Sequence, residues 1–288
     1  MISRRSLFQS LAAGAVAAAV PGSLLAQTAE TVEALTVKGD IRQSVSRWCF
    51  GKIPMDEFCK ICKKLGMVGI DLVREDDWDA VNKNNMIVTM GSSGLGSIAK
   101  GFNRLENHDM LVAGYERLIP VAATKKVPNL ICMSGNREGI SDEEGMANCL
   151  VGLKRLMPTA EKHGVTIVME LLNSLVNHAD YQADHTAWGA ELARKVGSER
   201  FKLLYDIYHM QIMEGNMIAT IKANKDVIGH YHTAGVPGRK DLDDQQEIYY
   251  PAVMQAIKDT GYKGFVAHEF TPKNGLQSLC DAVKICDV

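Results

Sequence analysis

The chain has 288 residues, 46% of them hydrophobic and 23% charged, and its 34 acidic against 32 Lys plus Arg residues leave a net charge of −2. That composition excludes a collagenous, disordered or multi-span membrane protein. Without a basic excess, it also argues against a protein that grips nucleic acid by bulk charge.

The first residues differ in kind from the rest. A short basic start with Arg4 and Arg5 precedes an Ala-rich apolar stretch over 11–20, followed by Pro21, Gly22 and the small residue Ala26. Export signals have that order. The apolar run is too short for a bilayer, which needs about 20 residues. Ser3-Arg4-Arg5-Ser6-Leu7-Phe8 resembles the twin-arginine signal that passes folded proteins across the bacterial inner membrane. Residues 1–26 are thus expected to be a signal peptide read by twin-arginine export machinery. Residues 27–39 read as a linker and 40–288 as one periplasmic domain without stable membrane insertion. Seven cysteines are compatible with export if folding comes first and leaves them reduced. Cys59 and Cys62 have helical spacing and lack a second CxxC, which argues against a zinc site. Cys280 and Cys286 could pair in an oxidising compartment.

From residue 40 onward short β-branched runs alternate with longer amphipathic segments. Strands are predicted at 44–49, 69–73, 86–91, 129–134, 166–171, 202–207, 227–233 and 264–269. Helices include 55–65, 106–125, 142–163 and 186–196. The helix at 142 opens with Ser141 and Glu144 in capping-box spacing. Gly66 and Gly164 close two helices before the next strand. Eight βα units in this length predict a (β/α)8 barrel, and the lack of a GxGxxG after the first strand argues against a doubly wound sheet.

Barrels carry chemistry at the carboxyl ends of their strands. Strands five to eight end at Glu170, Asp206, His232 and Glu269. Alternation places Val168 with Glu170, His230 with His232, and Ala267 with Glu269, while His268 faces the helices. The mostly apolar companions suggest an interior that is polar only at its rim. Three buried carboxylates and an imidazole would repel one another or lie unpaired without a divalent cation between them. The donor set suits one Mn²⁺, Mg²⁺ or Co²⁺ ion. Trp48, ending strand one, is a candidate wall of the substrate pocket, and Glu75 beyond strand two is a candidate to reach the rim.

Tyr205-Asp206-Ile207-Tyr208-His209-Met210-Gln211, then Ile228-Gly229-His230, Pro237-Gly238-Arg239 and Glu247-Ile248-Tyr249-Tyr250-Pro251, resemble the hydroxypyruvate isomerase family. The wider group is the xylose isomerase-like barrels, which include keto-sugar 3-epimerases and endonuclease IV. The resemblance implies a metal on Glu170, Asp206, His232 and Glu269, with Glu170 and Glu269 exchanging a proton α to a substrate carbonyl through an enediolate. His209 and Arg239 are then placed to hold substrate oxygens. Hydroxypyruvate isomerases tend to carry Gln at the position of His232, whereas keto-sugar epimerases carry His.

The expected activity is therefore isomerisation of a small hydroxy-carbonyl compound, with keto-sugar 3-epimerisation as the alternative. A phosphodiesterase like endonuclease IV would need more metal ligands and a basic surface. A non-catalytic sugar-binding protein would not need an intact ligand quartet. The expected partners are a small-molecule substrate and a second copy of the chain, not nucleic acid.

Overall fold

The computed structural model describes residues 29–288. The expected signal peptide lies outside the described residues. Among them, no helix is long and apolar enough to cross a membrane.

The chain runs β1 (Gln43–Ser46), α1 (Met55–Lys64), β2 (Gly69–Asp71), β3 (Val73–Arg74), α2 (Trp78–Lys83), β4 (Ile87–Val88) and β5 (Gly91–Ser92). It continues through α3 (His108–Thr124), β6 (Asn129–Cys132), α4 (Asp142–His163), β7 (Thr166–Leu171), α5 (Thr186–Val196) and β8 (Phe201–Asp206). The last part holds α6 (Ile207–Met213), α7 (Met217–Ala223), β9 (Ile228–Thr233), α8 (Tyr250–Asp259), β10 (Val266–His268) and α9 (Leu276–Cys286). All strand pairs are parallel, and β1 closes the ring by pairing with both β10 and β2.

Ten strands occupy eight barrel positions because two are interrupted. Leu72, at φ 48°, splits the second position into β2 and β3. The third position is split likewise, β4 pairing with β2 and β5 with β3. A left-handed residue cannot continue a ladder, so each half pairs separately. The fifth strand and the helices at 142 and 186 fall where the periodicity placed them. Ser141 Oγ accepts the Glu144 amide at 3.1 Å, and Gly164 ends α4 with φ 69°, the left-handed geometry that glycine adopts without strain.

Two apolar layers result. The larger lies between strands and helices, and a small one inside the barrel consists of Met90, Ile131, Val168 and Leu204. The rest of the lumen departs from the expectation of an apolar interior. Asp71 reaches across it to His230 and His232 on β9, and its Oδ2 accepts from Thr89 Oγ1 at 2.5 Å. These polar groups are tolerated inside because each carboxylate oxygen has a partner.

Residues 29–39, expected as a linker, lie against the barrel. Leu35 N donates to Lys64 O at 2.8 Å, and Lys38 N donates to the Asp287 carboxylate at 2.9 Å. Cys280 and Cys286 both lie on α9 and are free. Six residues of helix rise about 9 Å, beyond the Cα separation a disulfide spans.

Gly69 sets the spacing of the strand that ends at Asp71. A Cβ there would lie 2.3 Å from Ile87 O on β4. Gly69→Ala is expected to lower stability by about 1–3 kcal/mol through forced strand separation, read as a lower urea midpoint. An unchanged midpoint would show that the two strands can part freely.

Candidate active site

The ends of neighbouring parallel strands bring four side chains to one point. Asp206 on β8 lies opposite His232 on β9, and His232 lies opposite Ala267, which places Glu269 one pleat beyond. One ligand atom from each of Glu170, Asp206, His232 and Glu269 lies within 4.8 Å of all the others, and all four residues are buried. Asp206 is also the N-cap of α6, its Oδ1 accepting from Tyr208 N at 2.9 Å and His209 N at 3.3 Å. That bonding leaves Oδ2 facing the centre.

Glu269 carries the densest set of contacts. Trp48 Nε1 donates to its Oε1 at 2.6 Å, Arg239 Nη2 donates to its Oε2 at 2.6 Å, and His232 Nδ1 lies 2.6 Å from the same Oε2. Burial would raise its carboxyl, but His232 and Arg239 outweigh burial and hold it down to about 2. Glu170 lacks the arginine contact, so burial pushes it up to about 6 against the pull of His232. Burial likewise raises Asp206, opposed by Arg239 Nη2 at 3.2 Å.

The donor set fits a cation. His232 gives Nε2 to Asp71 Oδ1 at 3.0 Å, while its buried Nδ1 has no well-aligned hydrogen-bond acceptor among the described residues. Nδ1 therefore turns a lone pair, or a poorly satisfied proton, toward three carboxylates. A hard divalent ion with oxygen and imidazole ligation meets both needs.

The loop after β7 positions His209. Asn173 N donates to His209 Nδ1 at 3.1 Å, so the neutral ring carries its proton on Nε2. That atom is buried, 3.6 Å from Asp206 Oδ2, without a hydrogen-bond partner among the described residues. Burial, then the charge of Arg239, pushes His209 well below the usual imidazole range. Asn173 Oδ1 in turn accepts from Val176 N and Asn177 N, and the His178 ring packs 5.3 Å from that of His209.

Arg239 arrives on the loop after β9. Thr271 N donates to Arg239 O at 2.8 Å, and Arg239 Nε donates to Glu269 O at 3.3 Å, which ties this loop to the end of β10. Gly235 allows the loop to close, since a Cβ there would lie 2.2 Å from Asp241 O. The guanidinium sits between Trp48 and Tyr208, 5.8 and 5.6 Å from their ring centres.

Trp48, His209 and Arg239 thus surround the quartet, with Trp48 on a 3₁₀ turn beyond β1 and 48% exposed. Glu75 is not brought to it. Its carboxylate instead pairs with Arg117 at 2.8 Å on the exposed side of α3, where a long cation is in reach. Sequence reasoning missed Asp71, Asn173 and His178. Asp71 falls in the middle of the strand predicted at 69–73 and becomes a strand end only because the left-handed Leu72 stops β2 there. Asn173 and His178 lie in an irregular loop and carry no periodic signal.

The family model described as a xylose isomerase-like TIM barrel matches residues 70–285. A putative hydroxypyruvate isomerase from Homo sapiens is 29% identical over 165 residues, 56% of this chain and 60% of that protein. A 2-oxo-tetronate isomerase from Cupriavidus necator is 32% identical over 116 residues, 40% of this chain and 44% of that protein. The chain therefore matches about half the length of these curated relatives. Among solved structures, an AP endonuclease, family 2, from Brucella melitensis has a TM-score of 0.75 at 20% identity, covering 83% of this chain and 96% of that one. At that identity the likeness shows the fold alone.

Removal of metal with EDTA is expected to lower the melting temperature, and Mn²⁺ at about 100 times its Kd to stabilise the fold by about 2.7 kcal/mol. Calorimetric melting with and without added ion checks this. Identical melting curves would remove the cation from the site.

Proposed function

The chain belongs to the xylose isomerase-like TIM-barrel family, and from that premise we propose that it is a metal-dependent isomerase of a small hydroxy-carbonyl compound, hydroxypyruvate isomerase-like in its chemistry. The observation that carries this reading is the convergence of Glu170, Asp206, His232 and Glu269 at the carboxyl end of the barrel. A divalent cation held by these four would supply Lewis-acid polarisation of the substrate carbonyl, worth several kcal/mol.

The remaining work falls to the protein's own groups. Moving a carbonyl to the neighbouring carbon requires a base to take a proton α to the carbonyl and an acid to return one. Glu170 on β7 and Glu269 beyond β10 present carboxylates from different sides of the ring. One takes the proton as a carboxylate, and a proton is then delivered either by that same group, now a carboxylic acid, or by the other glutamate in its protonated form. His209 can donate its Nε2 proton to a substrate oxygen without carrying charge. Arg239, half-shielded between two aromatic rings, can pair with a carboxylate and withstand desolvation. The similar proteins named for hydroxypyruvate and 2-oxo-tetronate support a substrate that joins a carboxylate to a ketone. Trp48 Nε1 orients Glu269 and its ring walls the mouth.

Keto-sugar 3-epimerisation is the second reading, favoured by His232 where the hydroxypyruvate isomerase family carries Gln. Proton abstraction is the same, but isomerisation returns a proton to the former carbonyl carbon, whereas epimerisation returns one to the opposite face of the carbon that lost it.

Incubation with hydroxypyruvate, 2-oxo-tetronate or ketoses in D₂O with Mn²⁺ is expected to place deuterium α to the carbonyl, followed by NMR. Glu269→Gln is expected to lower that exchange by about 10²–10⁴-fold while circular dichroism is unchanged. Exchange with ketoses alone would select the epimerase, and no exchange with any of them would sink both readings. Export is a separate proposal resting on residues 1–26. N-terminal sequencing of periplasmic protein should begin near residue 27, and an intact Met1 there would refute cleavage.

A further inference from the structure

Beneath the quartet lies a second group of titratable side chains, buried and enclosed by the barrel wall. Asp71 on β2 stands across the lumen from His230 and His232 on β9, three ring positions away. Its Oδ1 is 3.0 Å from His232 Nε2, and its Oδ2 is 2.9 Å from His230 Nε2. Thr89 Oγ1 donates to Oδ2 at 2.5 Å and is itself 3.0 Å from Ser44 Oγ. A carboxylate contacted at both oxygens, at one by His232 on β9 and at the other by Thr89 between β4 and β5, has little freedom to move. No step of the proposed reaction uses it.

We propose that Asp71 is a positioning residue for His232, fixing the ring so that Nδ1 rather than Nε2 is offered to a cation at the quartet. This rests on the metal-dependent reading of the site. A neutral imidazole has one N–H, and whichever nitrogen gives it to a partner leaves the other as the metal ligand. With Nε2 on the Asp71 carboxylate, the lone pair belongs to Nδ1, which faces Glu269 at 2.6 Å and Glu170 at 3.6 Å. Carboxylate–histidine pairs also raise the basicity of the ligating nitrogen and restrict rotation of the ring. Thr89 holds the second oxygen, with His230 Nε2 packed 2.9 Å from it, and keeps the carboxylate from turning away. Asp71 therefore makes an imidazole useful at position 232, where it would otherwise rotate between two nitrogens.

The test compares the full-length protein with Asp71→Asn and Asp71→Ala. Mn²⁺ affinity is measured by titration calorimetry, and ligand geometry by the visible absorption of the Co²⁺ form. Asp71→Ala is expected to bind Mn²⁺ about tenfold to a hundredfold more weakly and to shift the Co²⁺ bands. Asp71→Asn keeps an acceptor for Nε2–H and should recover part of that loss. Wild-type affinity and spectrum in both variants would overturn the proposal, even if their metal-free forms melt earlier, because that pattern marks a purely structural role. Two equivalents of Mn²⁺ in the wild type and one in the variants would also overturn it, making the lower group a cation site of its own. Should the variants not fold, ¹⁵N NMR of the wild-type Zn²⁺ form decides the matter, with the His232 signal assigned by its loss in His232→Gln. A proton on Nε2 and metal on Nδ1 supports the role, and the reverse tautomer refutes it. A wild-type protein that binds no metal would instead overturn the reading of the quartet, a result distinct from a metal site indifferent to Asp71.

Discussion

Negative charge crowded at one end of a closed barrel is the constraint around which this protein is arranged. Glu170, Asp206 and Glu269 are buried side by side with ligand atoms less than 5 Å apart. Two like charges about 4 Å apart repel by about 4 kcal/mol even at an effective dielectric of about 20. In the residues described, Arg239 supplies the positive counterweight, joined by His232 while no cation occupies its Nδ1 and its ring is protonated, and they do so unequally. Glu269, touched by both, stays ionised, whereas Glu170 and Asp206 are pushed upward by burial. A divalent ion would even out that imbalance. Ligands placed in this way are uncomfortable alone, which is what suits the site to a cation.

The elements around the quartet read as answers to this constraint. The α6 N-terminus satisfies one oxygen of Asp206, and Trp48 satisfies one oxygen of Glu269, so in each case the other oxygen is directed inward. Asn173 takes Nδ1 of His209, leaving the opposite nitrogen as a donor. Asp71 does the corresponding thing for His232 from below. In each pair a neighbour occupies one atom of a two-ended group and thereby chooses the function of the other. The loop that carries Asn173 is held by hydrogen bonds within itself, and the one that carries Arg239 by a bond from Thr271 N just beyond β10. The resulting geometry is rigid where protons and substrate oxygens must be placed to within fractions of an ångström.

Much of this is legible in the amino-acid sequence. The eight βα units, the fifth strand, the helices at 142 and 186 and the Ser141 cap follow from local periodicity and hydrogen-bond capacity, which act over a few residues. The quartet followed from asking what each late strand ends on. Asp71 was not legible as a strand end because the apolar pattern runs on to Val73, which points beyond it to Glu75 instead. The splitting of the second and third barrel positions could not be read, since Leu72 carries no signal for a left-handed backbone. The packing of 29–39 on α1 and α9 was equally silent, because its polar composition says nothing about distant partners.

The sequence by itself determined the class of fold, the strand ends on which acids and histidines sit, and the donor chemistry that calls for a hard cation. These depend on residue type and on spacing along the chain. Tertiary structure decided which atoms of those residues face one another, that Arg239 joins the carboxylates while Glu75 leaves for Arg117, and that Asp71 meets His232 across the lumen. Those outcomes depend on ring closure, which brings residues 161 positions apart within 3.0 Å, and no local pattern encodes such a meeting.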